Sequence, residues 1–491
     1  MGIIEKQVTR NVIYSYLGAG LGFITVLWTA HLFTTAETGV TALLVTYTGL
    51  FAQFANLGFT SVTIRLFPYF RNKDKGHHGF LFYAIIVSLI GIFLCWLVFL
   101  FLKPNIIESN KEKSELFVTY LYYLMPLIFF TVFFNIFDSY LRATYSSVIG
   151  AFTKEFLQKI LIIFMMVLYF LKLIDFSMFL LGYVASTCLP TLMLLYFIFR
   201  QKEWHIKPVR GFVSKELRKE MVKLSMYSIL AGGAGAIILN IDAIMVNKFL
   251  GEAETGIYRI TGYFAIAMVI PSRSLYRISS SIVAEKFKTN EIKEIHKMYA
   301  QSCNTLLAVG ALLFIGIIAN IDNIMHLIPG TFASGKYVIL ILSAGFLVEM
   351  GTGINQVILA NSPYYRYDAY FVVAIVCATV AANYILIPMY GITGSAIATT
   401  LTLITGNAMR FGFLFIKYKM QPYNINTFKL ILIAAIAILP SFFIPFMFNL
   451  YVDIAIRSSI VGGIYLLLIL KTEATPELNK KIRKNLKRFS K

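Results

Sequence analysis

The sequence predicts an all-α, polytopic membrane protein with about fourteen transmembrane helices, arranged as two six-helix bundles in parallel repeat plus two C-terminal helices. The composition is the first reason: 58% of the 491 residues are hydrophobic and 14% are charged, whereas charged residues make up about a quarter of soluble proteins. The second is that apolar runs of about 20 residues, the length that spans a bilayer as a helix, recur along the chain. Such runs are too long for strands, and lipid admits only helices or closed barrels.

The apolar runs place the predicted spans in order along the chain. They fall at residues 11–32, 39–64, 79–102, 117–141, 156–171, 176–199, 224–247, 256–276, 302–319, 337–359, 367–388, 392–416, 430–448 and 452–470. The predicted domains are an N-terminal six-helix bundle, a basic cytoplasmic linker, a C-terminal six-helix bundle, helices 13 and 14, and a basic cytoplasmic tail, at residues 1–199, 200–223, 224–427, 428–470 and 471–491.

The distribution of positive charge predicts the orientation. The chain carries 44 Lys and Arg against 24 Asp and Glu, a net charge of +20, which in a soluble protein would suggest a nucleic-acid partner. Here the loop at 200–223 alone holds eight Lys and Arg residues and the tail from Lys471 holds eight more. Because cytoplasmic loops of membrane proteins are enriched in Lys and Arg, we expect both termini in the cytoplasm and no nucleic acid as partner.

A short motif occurs twice and indicates an internal repeat. Ala-Glu-Thr-Gly ends at Gly39 in the first copy and at Gly256 in the second, an offset of 217 residues, and the same offset relates Gly18 to Gly235. Helix one therefore corresponds to helix seven, and six helices per copy make the repeat parallel. Channels, exchangers and transporters all use repeats, but two six-helix bundles around a cavity suit alternating access.

Small residues on helices one and seven predict close helix packing, with a hinge as the alternative. They are Gly18, Gly20, Gly22, Gly232, Gly233 and Gly235. The cysteines Cys95, Cys188, Cys303 and Cys377 are scattered singly, without the spacing of a disulfide framework or a metal site. We interpret them as small apolar packing residues and expect no metal.

Two longer motifs resemble a known family. Asp242, then Met-Val-Asn-Lys-Phe-Leu-Gly at 245–251 and Glu-Thr-Gly-Ile-Tyr at 254–258, resembles the helix seven to helix eight signature of polysaccharide exporters. The segment 383–399, which contains Asn-Tyr-Ile-Leu-Ile-Pro and Gly-Ile-Thr-Gly-Ser-Ala, resembles the signature that joins helices eleven and twelve. Together they are similar to the O-antigen and capsule flippase branch of the multidrug, oligosaccharidyl-lipid and polysaccharide exporter superfamily.

The resemblance implies a function in polysaccharide biosynthesis. It implies a flippase that is not an enzyme, has no cofactor, and moves undecaprenyl-pyrophosphate-linked glycan repeat units across the bacterial cytoplasmic (inner) membrane by alternating access. It also implies that helices thirteen and fourteen hold the lipid tail. Coupling to sodium, protons or the membrane potential stays open. The sequence has no GxxxxGK[ST] motif for nucleotide phosphates.

The junction motif also has a structural interpretation. Pro388 is expected to end helix eleven, because proline lacks the backbone N–H that continues a helix. Gly391 and Gly394 would then permit a tight turn and close contact of helix twelve.

Charged residues inside predicted spans are candidate functional residues, because a charge in hydrocarbon costs at least a few kcal/mol. Glu349 is the deepest acid, roughly 15 to 18 Å from either end of its predicted span. It either lines a cavity and takes part in ion coupling, or is a protonated or paired packing residue.

Arg259 and Asp242 lie at similar depth near the outer surface, on adjacent antiparallel helices. They form a structural salt bridge, or Arg259 helps to bind the anionic pyrophosphate, since a guanidinium matches phosphate oxygens in bidentate fashion. The resemblance implies cavity arginines on helices two and eight, but the repeat places Ala42 where helix two would carry its arginine.

Charged residues also cluster near the cytoplasmic ends of the spans, where a lipid-linked pyrophosphate would first be met. They are Arg65, Asp138, Arg142, Lys159, Arg273, Arg277 and Arg410. Long cations there can simply extend to the membrane surface. We select Lys159 and Arg273, with Arg259, as candidate substrate-binding residues, and expect the i and i+4 pairs Asp138–Arg142 and Asp453–Arg457 to form.

Two other functions are considered. A cation-coupled multidrug antiporter of the same fold should carry an acid on helix one, and helix one has none. A membrane-bound polymerase or acyltransferase needs a large outer loop with catalytic Arg or His, and the longest outer loops, near 103–116 and 320–336, hold only His326. The lipid-linked oligosaccharide flippase is therefore favoured, with membrane lipid and a coupling ion as further partners.

Overall fold

The computed structural model of the chain describes residues 3–146, 148–209, 211–446 and 449–475. These residues form helices, turns and connecting loops, and no strand occurs among them. Ten helical segments in the described ranges are long and apolar enough to cross a membrane, and Leu17–Leu32 is a shorter apolar stretch. The predicted all-α, polytopic architecture is therefore confirmed, whereas the count of fourteen spans stays a prediction.

The chain divides into two compact units, of which unit 1 is Met1–Ile257. Its helices are α1 (Ile3–Leu32), α2 (Thr35–Ala55), α3 (Phe59–Phe70), α4 (Phe80–Asn110), α5 (Glu115–Thr119), α6 (Leu124–Ala143), α7 (Val148–Ala151), α8 (Gln158–Phe170), α9 (Phe176–Arg200) and α10 (Lys215–Leu250). Helices α2 and α6 supply fully buried side chains such as Leu43 and Val132. Their apolar faces pack together in the core, while α4 presents many apolar side chains on the surface, as lipid contact requires.

Unit 2 is Tyr258–Lys491. Its helices are α11 (Glu252–Ile266, which begins in unit 1), α12 (Ile270–Lys288), α13 (Ile292–Ala319), α14 (Ile321–His326), α15 (Lys336–Gly351), α16 (Asn355–Asn361), α17 (Tyr365–Tyr418), α18 (Ile425–Ile438) and α19 (Leu450–Thr472). One core forms where α13 meets α18 and α19, around Ile433 and Val461. A second core surrounds Tyr299 of α13, between α12, α16 and α17.

Two predicted spans are interrupted by residues with positive φ angles, which the hydropathy pattern did not predict. The span at 39–64 is interrupted between α2 and α3, where Leu57 and Gly58 have φ angles of 46° and 69°. The span at 337–359 is interrupted between α15 and α16, where Gly353 has a φ of 61°. Left-handed backbone conformations cannot continue a right-handed helix, and glycine adopts them at little cost. Both predictions of continuous helices were therefore wrong.

The junction of predicted helices eleven and twelve lies within α17. The chain stays helical past Pro388 and leaves helical geometry at Gly391, with φ 62° and ψ −142°, so the prediction that Pro388 ends the helix was wrong by three residues. The predicted role of the glycines is confirmed. Gly391 adopts the left-handed conformation, and a Cβ atom built on Gly394 would overlap the carbonyl oxygen of Leu386.

Close packing is confirmed for part of the glycine set on helices one and seven. A Cβ atom on Gly18 would lie 2.6 Å from the Glu155 carbonyl oxygen, and one on Gly233 would lie 2.7 Å from the Phe54 ring. A Cβ atom on Gly232 would overlap the Gln53 side chain. Gly20 and Gly235 have no atom within 4 Å of a built Cβ, so packing does not explain glycine at these two positions.

The predicted pair Asp453–Arg457 is confirmed and is buried in unit 2. Arg457 Nε donates to Asp453 Oδ2 at 2.5 Å, and Asn323 Nδ2 donates to the same oxygen at 2.6 Å. Asp453 is fully buried, so its charge depends on these partners.

Other predictions stand as follows. Cys95, Cys188 and Cys303 are buried free thiols, as expected, whereas Cys377 is exposed. The predicted domain boundaries were drawn from the sequence repeat and not from contacts between helices. They stay a prediction. Most of the predicted basic tail, residues 476–491, lies outside the described residues.

We expect Gly394→Ala to destabilise the protein, because the new Cβ would overlap the Leu386 carbonyl oxygen; overpacking of this kind costs about 1–3 kcal/mol. Gly412→Ala, on the same helix, is the matched control, since nothing lies within 4 Å of its built Cβ. Thermal unfolding in detergent should show a lower midpoint for Gly394→Ala only. Equal midpoints for the two variants would contradict the assigned contact.

Candidate functional site

A polar site forms in unit 2 where the predicted tenth span is broken. Thr352, Gly353 and Ile354 separate α15 from α16. The Ile354 N–H donates to the Ser302 hydroxyl at 3.2 Å, and Asn355 Nδ2 donates to Asn407 Oδ1 at 3.0 Å. Side chains of α13 and α17 therefore satisfy polar groups that the break exposes. Such unwound segments are tolerated at membrane depth only where protein or a water-filled cavity surrounds them.

Glu349 lies in the last turn of α15, directly before this break. Its side chain is half-buried, and Arg410 and Arg273 interact with its carboxylate electrostatically. The C-terminal end of a helix carries a partial negative charge, so an acid at that position needs a nearby cation. The two arginines, on α17 and α12, provide it. The alternatives of a cavity role and of a paired packing role for Glu349 both stay open.

Arg410 has a second acidic partner. Its Nε donates to Asp368 Oδ1 at 2.8 Å, and the two side chains are only 10% and 14% exposed. Because both charges are shielded from solvent, we interpret the ion pair between Arg410 and Asp368 as structural. Both residues belong to α17, on opposite sides of Gly391. Arg273 differs in that its side chain is exposed. Within this cluster of two acids and two arginines, Arg273 is the cation that can reach a ligand.

Unit 1 contains a second charged cluster at the predicted cytoplasmic side. The predicted pair Asp138–Arg142 is confirmed as an ion pair on α6. Lys154 lies in a π-helical turn, Phe152–Leu157, and its ammonium group is 4.7 Å from the centre of the Phe134 ring. Single π-helical turns inside α-helices occur frequently at functional sites. Lys159 follows one turn later on α8 and is half-buried.

The remaining predicted residues lie on α3, α10, α11 and α12. Arg259 is exposed on α11 in unit 2, and Asp242 is half-buried on α10 in unit 1, so their predicted pairing stays a prediction. Arg65 is exposed on α3 and Arg277 is exposed on α12. In the described part of the chain, no group of three or more His, Cys, Asp or Glu side chains is placed to hold a metal ion.

Three residues of the unit 2 site were missed by sequence reasoning. Asp368 is 42 positions from Arg410, too far for any local spacing rule to pair them. Asn407 and Thr352 are single polar residues in apolar helices. The segment Thr-Gly-Ile-Asn at 352–355 could have indicated the break and Thr352, because a glycine flanked by polar residues within a span indicates an interrupted helix.

Comparisons with protein families and with curated proteins give consistent results. The sequence model of the family described as "Polysaccharide biosynthesis protein" matches residues 5–278, more than half of the chain. A relative from Haloferax volcanii, named "Probable low-salt glycan biosynthesis flippase Agl15", is 23% identical over 211 residues, which are 41% of this chain and 44% of that protein. This match thus spans less than half of that relative. The uncharacterized membrane protein MJ1068 of Methanocaldococcus jannaschii is 22% identical and aligns over 94% of both chains.

Solved structures share the fold. The lipid II flippase MurJ in an inward closed conformation superposes with a TM-score of 0.74 at 17% identity, covering 93% of this chain and 97% of that chain. An inward-facing multidrug resistance MATE family transporter gives 0.66 at 14% identity, covering 84% and 98%. A transporter of the same superfamily from Pyrococcus furiosus gives 0.57 at 14% identity, covering 84% and 96%. At these identities the likeness concerns the fold alone.

The shielded pair Asp368–Arg410 should be sensitive to loss of one partner. We expect Arg410→Ala to destabilise unit 2 by about 3–5 kcal/mol, because it leaves the Asp368 carboxylate buried and unpaired. The double variant Asp368→Asn with Arg410→Gln should recover part of this loss. Thermal unfolding in lipid nanodiscs measures both effects.

The matched control is Lys336→Ala, also in unit 2. Lys336 and its partner Asp322 are 38% and 76% exposed, and exposed ion pairs are worth only about 0–1 kcal/mol. If Arg410→Ala lowered the unfolding midpoint no more than Lys336→Ala, the structural role of the buried pair would be wrong.

Proposed function

The chain belongs to the polysaccharide biosynthesis protein family, and from this membership we propose that it is a flippase for lipid-linked oligosaccharides. It is a multi-pass membrane transporter of the multidrug, oligosaccharidyl-lipid and polysaccharide exporter superfamily. The family match carries the proposal, and the similarity to a protein named as a glycan biosynthesis flippase supports it. The proposed cargo is an undecaprenyl-pyrophosphate-linked glycan repeat unit, moved from the cytoplasmic to the outer leaflet by alternating access.

The proposed location is the bacterial cytoplasmic membrane, with both termini in the cytoplasm. The excess of Lys and Arg in the loop at 200–223 and in the tail supports this orientation. On the same side, exposed cations can meet the pyrophosphate of a lipid that has just received its glycan. The cluster of Arg273, Arg410, Glu349 and Asp368 supplies one such cation on α12.

Arg273 is the proposed contact for the pyrophosphate. Its guanidinium can bind two phosphate oxygens at once, which makes arginine suitable for this group. In the absence of cargo, the Glu349 carboxylate interacts with Arg273 and with Arg410. Arrival of the pyrophosphate at Arg273 places a second anion near that carboxylate. The two anions then compete for Arg273, and Glu349 binds a proton or a metal cation in its place. This is the proposed link to a coupling ion.

Accumulation of the cargo in cells tests the function directly. Cells that lack the protein should accumulate lipid-linked oligosaccharide on the cytoplasmic face of the membrane, and the wild-type protein should reverse this. The result that overturns the proposal is unchanged lipid-linked oligosaccharide together with increased sensitivity to drugs. That result would identify a multidrug antiporter of the same fold.

Substitution of Arg273 tests the binding site. We expect Arg273→Ala to lower the rate of oligosaccharide translocation about tenfold or more, since a hydrogen bond to a charged group is worth about 1.5–3 kcal/mol. Arg273→Lys, which keeps the charge and loses the bidentate geometry, should have an intermediate rate. Proteoliposomes that contain a fluorescent pyrophosphate-linked oligosaccharide report the rate.

Arg277→Ala is the matched control, because it removes another exposed arginine one turn away on α12. It should retain most of the wild-type rate. Equal losses in the two variants would mean that the positive charge of this surface matters and that Arg273 has no specific role.

Substitution of Glu349 separates binding from coupling. We expect Glu349→Gln to bind a pyrophosphate-linked oligosaccharide at least as tightly as wild type, because the competing carboxylate is gone, while net translocation driven by an ion gradient falls. Binding by fluorescence polarisation and gradient-driven translocation measure the two effects on one preparation. Weaker binding with unchanged gradient dependence would contradict the proposed competition.

A further inference from the structure

The two copies of the Ala-Glu-Thr-Gly motif meet in the fold. The first copy forms the first turn of α2 and ends at Gly39, and the second forms the first turn of α11 and ends at Gly256. Both corners follow long helices, α1 and α10, that are predicted to leave the membrane on the outer side. All of these residues lie in unit 1.

The contact between the corners is symmetric. A Cβ atom on Gly39 would overlap the carbonyl oxygen of Glu252, and a Cβ atom on Gly256 would overlap the carbonyl oxygen of Thr35. Thr35 and Glu252 are themselves related by the repeat offset of 217 residues. Each glycine therefore contacts the residue four positions before the other glycine. This is the pattern that a local two-fold axis between the copies produces.

The two backbones touch without any intervening side chain. A Cβ atom on Gly256 would also lie 2.9 Å from the Gly39 nitrogen. Backbone atoms cannot rotate away as the end of a flexible side chain can. A methyl group at either position would thus force the two corners apart.

The second corner is also held by the connection between α4 and α5. Lys113 Nζ donates to the Phe249 carbonyl oxygen at 2.8 Å, and the Ser114 hydroxyl donates to Asn247 Oδ1 at 2.7 Å. The Phe117 N–H donates to Glu252 Oε2 at 2.7 Å. The bonds of Ser114 and Phe117 are buried and shielded from water, whereas the bond of Lys113 is exposed.

The contact between the corners is buried. Thr38, beside Gly39, is 2% exposed, and Gly39 and Gly256 are buried as well. Separation of the corners would therefore expose groups that the contact shields from water.

We infer that the two Ala-Glu-Thr-Gly corners form a closed outer gate, and that glycine at positions 39 and 256 is what allows the gate to shut. The inference rests on the proposed function only in that the chain is a transporter with an outward-open state. The identity of the cargo does not enter. The gate opens when the corners of α2 and α11 part, and the hydrogen bonds at Ser114 and Lys113 favour its closure.

Accessibility of single cysteines tests the gate without any cargo. Thr38→Cys and Thr255→Cys are introduced separately into a protein whose four native cysteines are replaced by alanine. Both threonines are buried, at 2% and 0% exposure, so an impermeant maleimide added outside right-side-out vesicles should label them slowly. Addition of Gly39→Ala or Gly256→Ala should raise the labelling rate about tenfold or more. Gly20→Ala and Gly235→Ala, which place a methyl group in open space, should leave it unchanged.

A second variant covers the case in which the glycine variants do not fold. Ser114→Ala removes one hydrogen bond at the crossing without adding an atom, and it should raise labelling by a smaller factor. Size-exclusion chromatography and the unfolding midpoint establish that each variant is folded. Unchanged labelling in folded Gly39→Ala, Gly256→Ala and Ser114→Ala, or labelling from the inner side alone, would overturn the gate. Failure of the oligosaccharide assay with increased outer labelling would overturn the cargo only.

Discussion

The hydrocarbon interior of a membrane offers no hydrogen-bond partner, and this constraint explains where polar side chains lie in the protein. A continuous helix satisfies its own backbone, so a break requires partners from other helices. At the break between α15 and α16, the Ser302 hydroxyl accepts from the Ile354 N–H, and Asn407 Oδ1 accepts from the Thr352 hydroxyl. At the end of α18 the same problem is solved by a cation. Arg457 donates to the carbonyl oxygens of Ser441 at 2.8 Å and of Ile444 at 2.7 Å, while the fully buried Asp453 balances its charge.

The same constraint governs the charges. In unit 2, the two acids Glu349 and Asp368 lie with the two arginines Arg273 and Arg410 in one cluster. The two arginines of this cluster differ in their exposure to solvent. The pair Arg410–Asp368 is shielded and serves stability, because either charge alone would be very costly there. Arg273 is exposed, so it is accessible to a ligand, as the proposed function requires. Burial, more than charge, thus distinguishes the two arginines of the cluster.

Sequence patterns predicted the features that depend on local spacing. Apolar runs gave the helical membrane fold, and the i and i+4 spacing gave both Asp138–Arg142 and Asp453–Arg457. They did not predict the broken spans, because an average over about 19 residues hides one glycine in a left-handed conformation. They also did not predict Asp368 as the partner of Arg410, since that pairing depends on how α17 folds back at Gly391. The arrangement of the unit 2 site is therefore a property of tertiary structure.

The repeat is symmetric in its backbone contacts and asymmetric in its charges. Gly39 and Gly256 make equivalent contacts, as two copies of one motif should. In contrast, Ala42 stands where the second copy has Arg259, and Asn247 next to the second copy's corner accepts a hydrogen bond from Ser114 in the α4–α5 connection. Each glycine is fixed by a backbone contact that its counterpart also makes, so a change at either position would disturb the contact between the copies. Position 42 is buried and position 259 is exposed, so the two copies place the corresponding side chains in different surroundings. The duplicated glycines and the unduplicated arginine therefore reflect different constraints on one repeat.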